Sequence, residues 1–482
     1  MLDAINADPT LGPAPAGGAP RVRLVDAHLH GELRVSRYRL ANGLEVLHLP
    51  DPAVPIFSYQ TWFRVGSRNE RLGKTGIAHL FEHLMFKGTP TRPEGVFDRT
   101  LEGLGARLNA ATWLDWTYYY EDVPGPEHLP LVVDLESDRL ENMILSSEQL
   151  ESERKVVVNE RKERVDNDPT GQLSELLWAT AYTVHPYGKP TIGWMPDIVG
   201  LSLEDCLAFH RTWYAPNNAV VVVAGAVEAE PLLRLIVKHY GHLQSAELPA
   251  YTPAAEPRQT EARRAELRLP LSADKLLMGY HAFAADDPRH PALEILNEVL
   301  FEGDSSRLRR VLVTEGELAA GFSAFVPAFA EPGLFEVAVD LRPGHTAEEA
   351  EAAVLAAFAE VTAHGLTEAE LAKAKARLET RFYLGLQTAQ HRAHGLGFWA
   401  ATLGQPYRVF DGGELYAGVT SEMVQAVAAE VLRPENRSVV IGRPSGAPPV
   451  DGDASLDGDD SLDGDDSFDD ESLDDSADGE PT

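Results

Sequence analysis

Hydrophobic and polar residues follow two different periods along the first half of the chain. Leu40–Leu49 alternates around an Asn42-Gly43 turn, which predicts a hairpin, and Phe57–Val65 alternates as a strand. The unbroken apolar run Ala219–Ala226 is typical of a strand that is buried on both faces. Between these strands apolar residues recur at helical spacing, as in Leu129–Met143. The pattern therefore predicts a domain that mixes strands and helices.

The second half of the chain repeats the same order of elements. Leu276–Phe283 and Phe335–Asp340 alternate as strands, whereas His290–Leu300 and Thr346–His364 have helical spacing. Ser438–Ile441 closes the series as a further apolar strand. Two halves with matching element order indicate a duplicated α+β domain.

Composition marks the limits of these two domains. A polar stretch at 244–264, with three prolines, predicts a linker between domains at 33–243 and 265–444. Residues 1–32 begin with a segment rich in Pro, Gly and Ala, and we expect them to be disordered. Residues 445–482 contain two near-repeats of Leu-Asp-Gly-Asp-Asp-Ser, which predicts an acidic disordered tail. These repeats lack the spacing of a specific calcium loop.

Charge and cysteine content exclude several classes of function. The net charge is −33, of which 15 negative charges lie from Asp451 onward, so the rest of the chain is acidic as well. Nucleic acid is an unsuitable partner, because phosphate binding needs clustered Lys and Arg. The single cysteine, Cys206, allows no intrachain disulfide. We find neither a secretory signal nor an apolar run of membrane-spanning length, so the sequence predicts a cytoplasmic protein without a membrane partner.

The segment Gly76–Thr89 carries the main candidate chemistry. It contains the run His79-Leu80-Phe81-Glu82-His83, and residues four apart lie on one face of a helix. His79 and His83 can therefore bind one metal ion, with the Glu82 carboxylate beside it, and paired imidazoles suit zinc. Histidines with hydrogen-bond partners in a core or at a surface have the same spacing, and the motif alone leaves both interpretations open.

Two further patterns have a functional and a simpler interpretation. Glu153 and Glu160 are seven residues apart in the predicted helix Ser147–Val165, which puts them on one face, as a solvated charged face would also do. The run Asp26-x-His28-x-His30 is compatible with a metal-dependent amidohydrolase. That enzyme class needs repeated βα units with further His and Asp at strand ends, which the sequence does not contain.

The motifs together resemble the M16 family of zinc metallopeptidases, which includes pitrilysin, insulin-degrading enzyme and mitochondrial processing peptidase. The resemblance extends from about Leu33 to Pro444, and its most specific part is the His79–His83 run followed, after 76 residues, by Glu160. Supporting matches are Asn42-Gly43, Gly66-Ser67, Phe86-Lys87-Gly88-Thr89, Asn109-Ala110, His185-Pro186-Tyr187-Gly188 and Ser305-Ser306-Arg307-Leu308. The resemblance implies two homologous domains, each with a mainly antiparallel β-sheet packed against α-helices.

The resemblance also implies roles for individual residues. His79, His83 and Glu160 would be the ligands of one Zn²⁺ per chain, and Glu82 would be the catalytic base. Glu153 matches a glutamate near the metal. Asn109 and Ala110 match an edge-strand position at which an extended peptide substrate pairs with the sheet.

The chain departs from the family pattern in its second half. Many members have an Arg and a Tyr there that steady the substrate carbonyl, whereas this sequence has Val313 and Ala320. We therefore expect a dimer in which a homologous second subunit supplies the pair. The partner is either an identical chain or an inactive-type M16 subunit, and the absence of the pair from this chain favours the inactive-type subunit.

The resemblance implies a zinc-dependent metalloendopeptidase that acts on peptides or unfolded segments. The alternatives are a non-catalytic core subunit of the same family and the amidohydrolase. The sequence does not reveal the substrate, the role of the tail or the native metal.

Overall fold

The computed structural model describes residues 1–446, and the acidic tail lies outside this range except for its first two residues. The first half contains a seven-stranded sheet with the order β1-β2-β3-β7-β4-β6-β5. All neighbouring strands are antiparallel except β3 and β7. The strands are β1 (Val22–His30), β2 (Leu33–Leu40), β3 (Glu45–Pro50), β4 (Ile56–Phe63), β5 (Arg107–Thr112), β6 (Thr117–Pro124) and β7 (Ala219–Gly225).

Helices of the first half pack mainly on one face of this sheet and enclose a core that includes Leu80, Phe81, Tyr119 and Ile236. The helices are α1 (Leu2–Ala7), α2 (Ile77–Leu84), α3 (Val96–Glu102), α4 (Leu129–Asn142), α5 (Ser147–Arg161), α6 (Pro169–Ala181), α7 (Met195–Gly200), α8 (Leu203–Trp213) and α9 (Ala229–Tyr240). A single π-helical turn, Lys162–Asp166, follows α5.

The second half is built around a five-stranded sheet with the order β10-β11-β9-β12-β8. Its strands are β8 (Arg263–Leu269), β9 (Lys275–His281), β10 (Ala319–Phe325), β11 (Leu334–Leu341) and β12 (Arg437–Pro444). Its helices are α10 (His290–Leu300), α11 (Arg307–Arg309), α12 (Ala347–His364), α13 (Glu368–Leu384), α14 (Ala389–Thr402), α15 (Gly412–Ala417) and α16 (Ser421–Val431).

The two sheets share one topology, which confirms the predicted duplication of an α+β domain. The second sheet reproduces the order β5-β6-β4-β7-β3 of the first, strand for strand, as β10-β11-β9-β12-β8. The one parallel pair also recurs, because β12 and β8 are parallel as β7 and β3 are. By the same order α2 corresponds to α10, and α5 corresponds to α13.

Each half contributes one helix to the sheet of the other half. Leu173 and Leu177 of α6 lie in one apolar cluster with strand residues of the second sheet, such as Val440. Leu396 of α14 lies in another apolar cluster with Trp62 of β4. The exchange covers the second face of each sheet and buries apolar surface between the halves.

The prediction of a disordered segment over 1–32 does not hold in the structure. Ile5 of α1 is fully buried in the core of the first half, and the Asn6 side chain bonds the backbone of Val22. β1 then forms an edge of the first sheet. The high proline and glycine content predicts disorder, but the contacts of Ile5 and Asn6 and the pairing of β1 order the segment.

The segment at 244–264, predicted to be a linker, has little regular secondary structure. Residues 244–262 form neither helix nor strand, and β8 begins at Arg263. The stretch is held against the first half, because Glu256 accepts hydrogen bonds from the backbone N–H groups of Thr183, Val184 and His185.

In the described part of the chain, none of the helices is long and apolar enough to cross a membrane. The cytoplasmic location stays a prediction.

The amidohydrolase interpretation of Asp26, His28 and His30 is wrong. These residues lie on β1, at the edge of an open sheet, and the described chain forms two open sheets instead of a βα barrel. The His28 ring stacks on Tyr407 at 4.9 Å, and the His30 ring stacks on Phe410 at 4.9 Å. Both histidines therefore pack against the second half of the chain.

Candidate metal centre

The helix α2 begins at a position that only glycine fits easily. Gly76 has a φ of 84°, and a Cβ atom there would lie 2.5 Å from the carbonyl oxygen of Ile192. The buried Glu70 carboxylate accepts hydrogen bonds from the N–H groups of Gly76 and Ala78, at 3.0 and 2.9 Å. A carboxylate at this end satisfies otherwise free donors of the first helical turn. Glu70 thus fixes where the motif helix starts, which the motif itself did not reveal.

The apolar side of α2 directs its histidines away from the core. Leu80, Phe81 and Leu84 are fully buried beneath the helix. His79 and His83 lie one turn apart on the other side, with ring centroids 4.9 Å apart.

The second helix of the site is α5, which packs beside α2. Ser146 and Gln149 form a reciprocal capping box that fixes the start of α5. Glu153 and Glu160 follow two turns apart on the side that faces α2. Because both glutamates lie close to His83, they are not simply part of a solvent-exposed charged face.

His79, His83 and Glu160 converge on one point. One potential ligand atom from each lies within 4.8 Å of the others. The Glu160 Oε2 atom is 3.6 Å from His79 Nε2 and 3.4 Å from His83 Nε2. Within residues 1–446 this oxygen is buried and has no hydrogen-bond partner of normal geometry, which leaves it available to a metal ion. Two imidazole nitrogens and one carboxylate oxygen are a donor set suited to zinc, so the residues present fit that ion.

Burial and neighbouring charges act on the titrating groups of the site in opposite directions. Burial lowers the pKa of His79, against the opposing effect of Glu82 and Glu160. Burial would also lower the pKa of His83, but the adjacent carboxylates of Glu153 and Glu160 and the charge of Glu82 raise it to about 9. Burial would raise the pKa of Glu160, yet His83 and His79 hold it below its usual value. The carboxylate of Glu82 is thus close enough to act on both histidines.

Glu153 lies on the far side of the His83 ring from Glu160. Its Oε2 atom is 3.5 Å from His83 Nδ1, and its Oε1 atom is 2.5 Å from Lys87 Nζ. Burial would raise the pKa of Glu153, but the His83 and Lys87 contacts lower it. The sequence does not predict this ion pair with Lys87, because Lys87 follows the end of α2 and Glu153 lies on another helix.

Asn109 and Ala110 lie on β5, which is an edge strand of the first sheet within the described chain and lies next to α2. Asn109 is exposed, and its Oδ1 atom accepts a hydrogen bond from Ala110 N at 2.9 Å. Among described strands only β6 pairs with β5, so its outer side is free for a further strand.

The remaining sequence candidates lie outside α2 and α5. Val313 is in a π-helical turn after α11, and Ala320 is on β10. His185 is buried, and its Nε2 atom is 2.6 Å from Glu331, which agrees with a structural role. The role of each candidate residue in binding or catalysis stays a prediction.

Comparisons with known proteins agree with this architecture. Residues 46–194 match the sequence model described as insulinase, peptidase family M16, and residues 200–378 match the one described as the peptidase M16 inactive domain. The chain is 31% identical to the zinc protease PqqE of Helicobacter pylori, over 75% of this chain and 83% of that protein. It is 28% identical to a probable mitochondrial-processing peptidase subunit beta of Schizosaccharomyces pombe, over 82% and 88% of the two chains.

Solved structures show the same fold. The crystal structure of a protease from Helicobacter pylori superposes with a TM-score of 0.81 at 29% identity, covering 85% of this chain and 99% of that one. Sequence, fold and the convergence of motif residues lead to one assignment. The chain belongs to peptidase family M16.

Proposed function

We propose that this chain is a zinc-dependent metalloendopeptidase that hydrolyses peptide bonds of peptides or unfolded protein segments. The observation that carries the proposal is the convergence of His79, His83 and Glu160 within 4.8 Å. A zinc ion held by three protein ligands keeps one position open, which is typical of catalytic sites. When bound, zinc supplies Lewis-acid chemistry that polarises a carbonyl oxygen and acidifies water.

Glu82, Glu153 and the free side of β5 have separate roles in the reaction. Glu82 accepts the proton of the attacking water and returns it to the leaving amine, as a general base and then a general acid. Glu153 bonds Nδ1 of His83 and directs Nε2 toward Glu160. The free side of β5 at Asn109 and Ala110 pairs with the extended backbone of the substrate and presents it alongside α2.

A non-catalytic core subunit is the alternative within the same family. The convergence of two imidazoles and one carboxylate on one point disfavours it, because a chain without metal chemistry does not require these three donors to lie together.

We further propose that the working enzyme contains a second, homologous subunit. Val313 and Ala320 offer no side-chain hydrogen-bond donor, whereas the family resemblance places an Arg and a Tyr there. A missing donor to the developing oxyanion costs on the order of a hundredfold in rate, so another chain has to supply it. The mitochondrial relative is itself described as a subunit.

The substitution Glu82→Gln tests the mechanism. We expect zinc binding to persist and cleavage of an unstructured peptide to fall by at least about a hundredfold, because the general base is lost and its shape retained. Metal content and peptide cleavage are measured on the same preparation. The matched control is Glu102→Gln on α3, an exposed glutamate outside the site, which should retain both properties. Unchanged cleavage by Glu82→Gln contradicts the mechanism.

A further inference from the structure

Lys87 connects the two helices that carry the candidate zinc ligands. It follows the end of α2, and its carbonyl oxygen accepts a hydrogen bond from Gln149 Nε2 at 3.1 Å. Gln149 belongs to the capping box in the first turn of α5. The next carbonyl, that of Gly88, accepts a bond from Ile144 N just before α5. The backbone at Lys87 therefore attaches the exit of α2 to the start of α5.

The side chain of Lys87 reaches further along α5. Its Nζ atom is 2.5 Å from Glu153 Oε1 and 2.6 Å from Glu94 Oε1. The Lys87 side chain is 11% exposed and that of Glu153 is 7% exposed, whereas Glu94 is 59% exposed. The pair with Glu153 is thus nearly closed to solvent, where a charged hydrogen bond keeps much of its strength.

We propose that Lys87 is a positioning residue for the zinc site, which holds Glu153 against Nδ1 of His83 and so fixes the orientation of that imidazole. With Nδ1 engaged at 3.5 Å by Glu153, the Nε2 atom faces Glu160. The inference rests on the proposed zinc-dependent function. A carboxylate behind a metal-ligating histidine is effective only when it is held in place itself.

The direction of the change in zinc affinity distinguishes a positioning role of Lys87 from a simple effect of its charge. Lys87 is a cation close to a site for another cation, so its removal would strengthen zinc binding if only electrostatics mattered. Loss of positioning acts in the opposite direction, because Glu153 and His83 would have to be ordered when the metal binds. Weaker zinc binding by a neutral variant therefore identifies the positioning role.

The experiment measures the zinc dissociation constant of the full chain, made metal-free, by competition with a chromophoric chelator. We expect Lys87→Met to weaken zinc binding about tenfold, at the low end of the range for groups that support metal ligands. Lys87→Arg retains a cation opposite Glu153 and should lose less affinity. The matched control is Lys74→Met, since Lys74 pairs with Asp205 at 2.7 Å near the other end of α2 and should leave zinc affinity unchanged.

A double-mutant cycle tests whether Lys87 acts through Glu153. Glu153→Gln alone should weaken zinc binding, and adding Lys87→Met to it should cause little further loss, because both changes release the same contact. Circular dichroism and thermal unfolding of each metal-free variant record whether the fold is retained.

Three outcomes overturn the inference. These are zinc binding by Lys87→Met that equals or exceeds that of the original chain, a full additional loss in the Glu153→Gln background, and equal losses in Lys87→Met and Lys74→Met. If the original chain binds no zinc, the proposed function fails first and this inference falls with it. If only the Lys87 variants give a contradicting result, the inference about Lys87 is overturned, whereas the proposed roles of the zinc ligands and Glu82 are unaffected.

Discussion

At the scale of single residues, His210 illustrates how packing near the motif helix affects stability. Its ring stacks on Phe81 of α2 and on Tyr214, at centroid distances of 5.7 and 5.6 Å. Burial, helped by the nearby charge of Arg211, lowers the pKa of His210 to about 4 from its ordinary value of 6.5. Its buried Nε2 atom has no hydrogen-bond partner in the described chain.

This lowered pKa predicts a loss of stability in acid. Between pH 6.5 and 4 the unfolded chain binds a proton at His210 that the folded chain does not, so the free energy of unfolding falls as pH decreases through this window. The loss amounts to roughly 3 kcal/mol when complete. In His210→Gln the difference between urea midpoints at pH 7 and pH 4.5 should therefore shrink. His364→Gln, at an exposed histidine, is the control, and an unchanged difference in His210→Gln would refute the assignment.

Residue-scale interpretation of the candidate site depends least on other elements where the geometry is local. The spacing of His79 and His83 defines one face of α2 without knowledge of any other element. Glu160 is different, because 76 residues separate it from His83 and periodicity alone did not distinguish it from a charged surface position. Its association with the motif came from the family resemblance, and the structure then placed its Oε2 atom beside both imidazoles.

At the scale of elements, the contact of α14 with β4 depends on a glycine. A Cβ atom at Gly397 would lie 2.0 Å from Nε1 of Trp62, which is fully buried and donates a hydrogen bond to Gln60. Only a residue without a side chain lets the helix of one half come so close to the sheet of the other half.

The variant Gly397→Ala should therefore destabilise the fold by about 1–3 kcal/mol through overpacking. Helix propensity alone predicts the opposite sign, since alanine favours a helix over glycine by about 1 kcal/mol. Gly413→Ala in α15 provides the control, because nothing lies within 4 Å of a Cβ atom there. Thermal unfolding shows whether Gly397→Ala is less or more stable than the original chain. A more stable variant would show that α14 does not pack so closely on Trp62.

The predicted elements were most accurate where one side of an element is apolar over its whole length. α10 has the predicted limits, His290–Leu300. The helices α6 and α14 were not predicted, and they are the two that pack on the sheet of the opposite half. Their burial depends on a distant surface, so a local pattern in the sequence does not identify them.

Corresponding helices also show how the two halves differ at the place of the candidate metal centre. In the second half α10 and α13 occupy the places of α2 and α5, and there Glu298 pairs with Arg377 and Arg381. The two arginines compensate the charge of the buried Glu298 carboxylate. The sequence model that matches residues 200–378 is described as an inactive domain, which agrees with this difference between the two halves.

At the scale of the whole molecule, the missing Arg and Tyr lead to a prediction about assembly. Sedimentation of the purified chain, combined with a peptide-cleavage assay, tests whether a homologous partner is required. We expect the chain alone to cleave weakly and a partner chain carrying the pair to raise the rate by about a hundredfold. Full activity of a homodimer would contradict this prediction. The reciprocal control introduces Val313→Arg and Ala320→Tyr into this chain.

Taken by itself, the sequence determined the duplicated α+β fold, most helix and strand positions and the two-histidine face of α2, because all of these depend on local periodicity. Only the tertiary structure decided which distant groups meet that face. Glu160 lies opposite the imidazoles because α5 packs beside α2, and Lys87 meets Glu153 because the turn after α2 is bonded to the start of α5. The ordering of residues 1–32 and the exchange of α6 and α14 have the same origin. Contacts between segments far apart in sequence depend on complementary surfaces, which no single segment specifies.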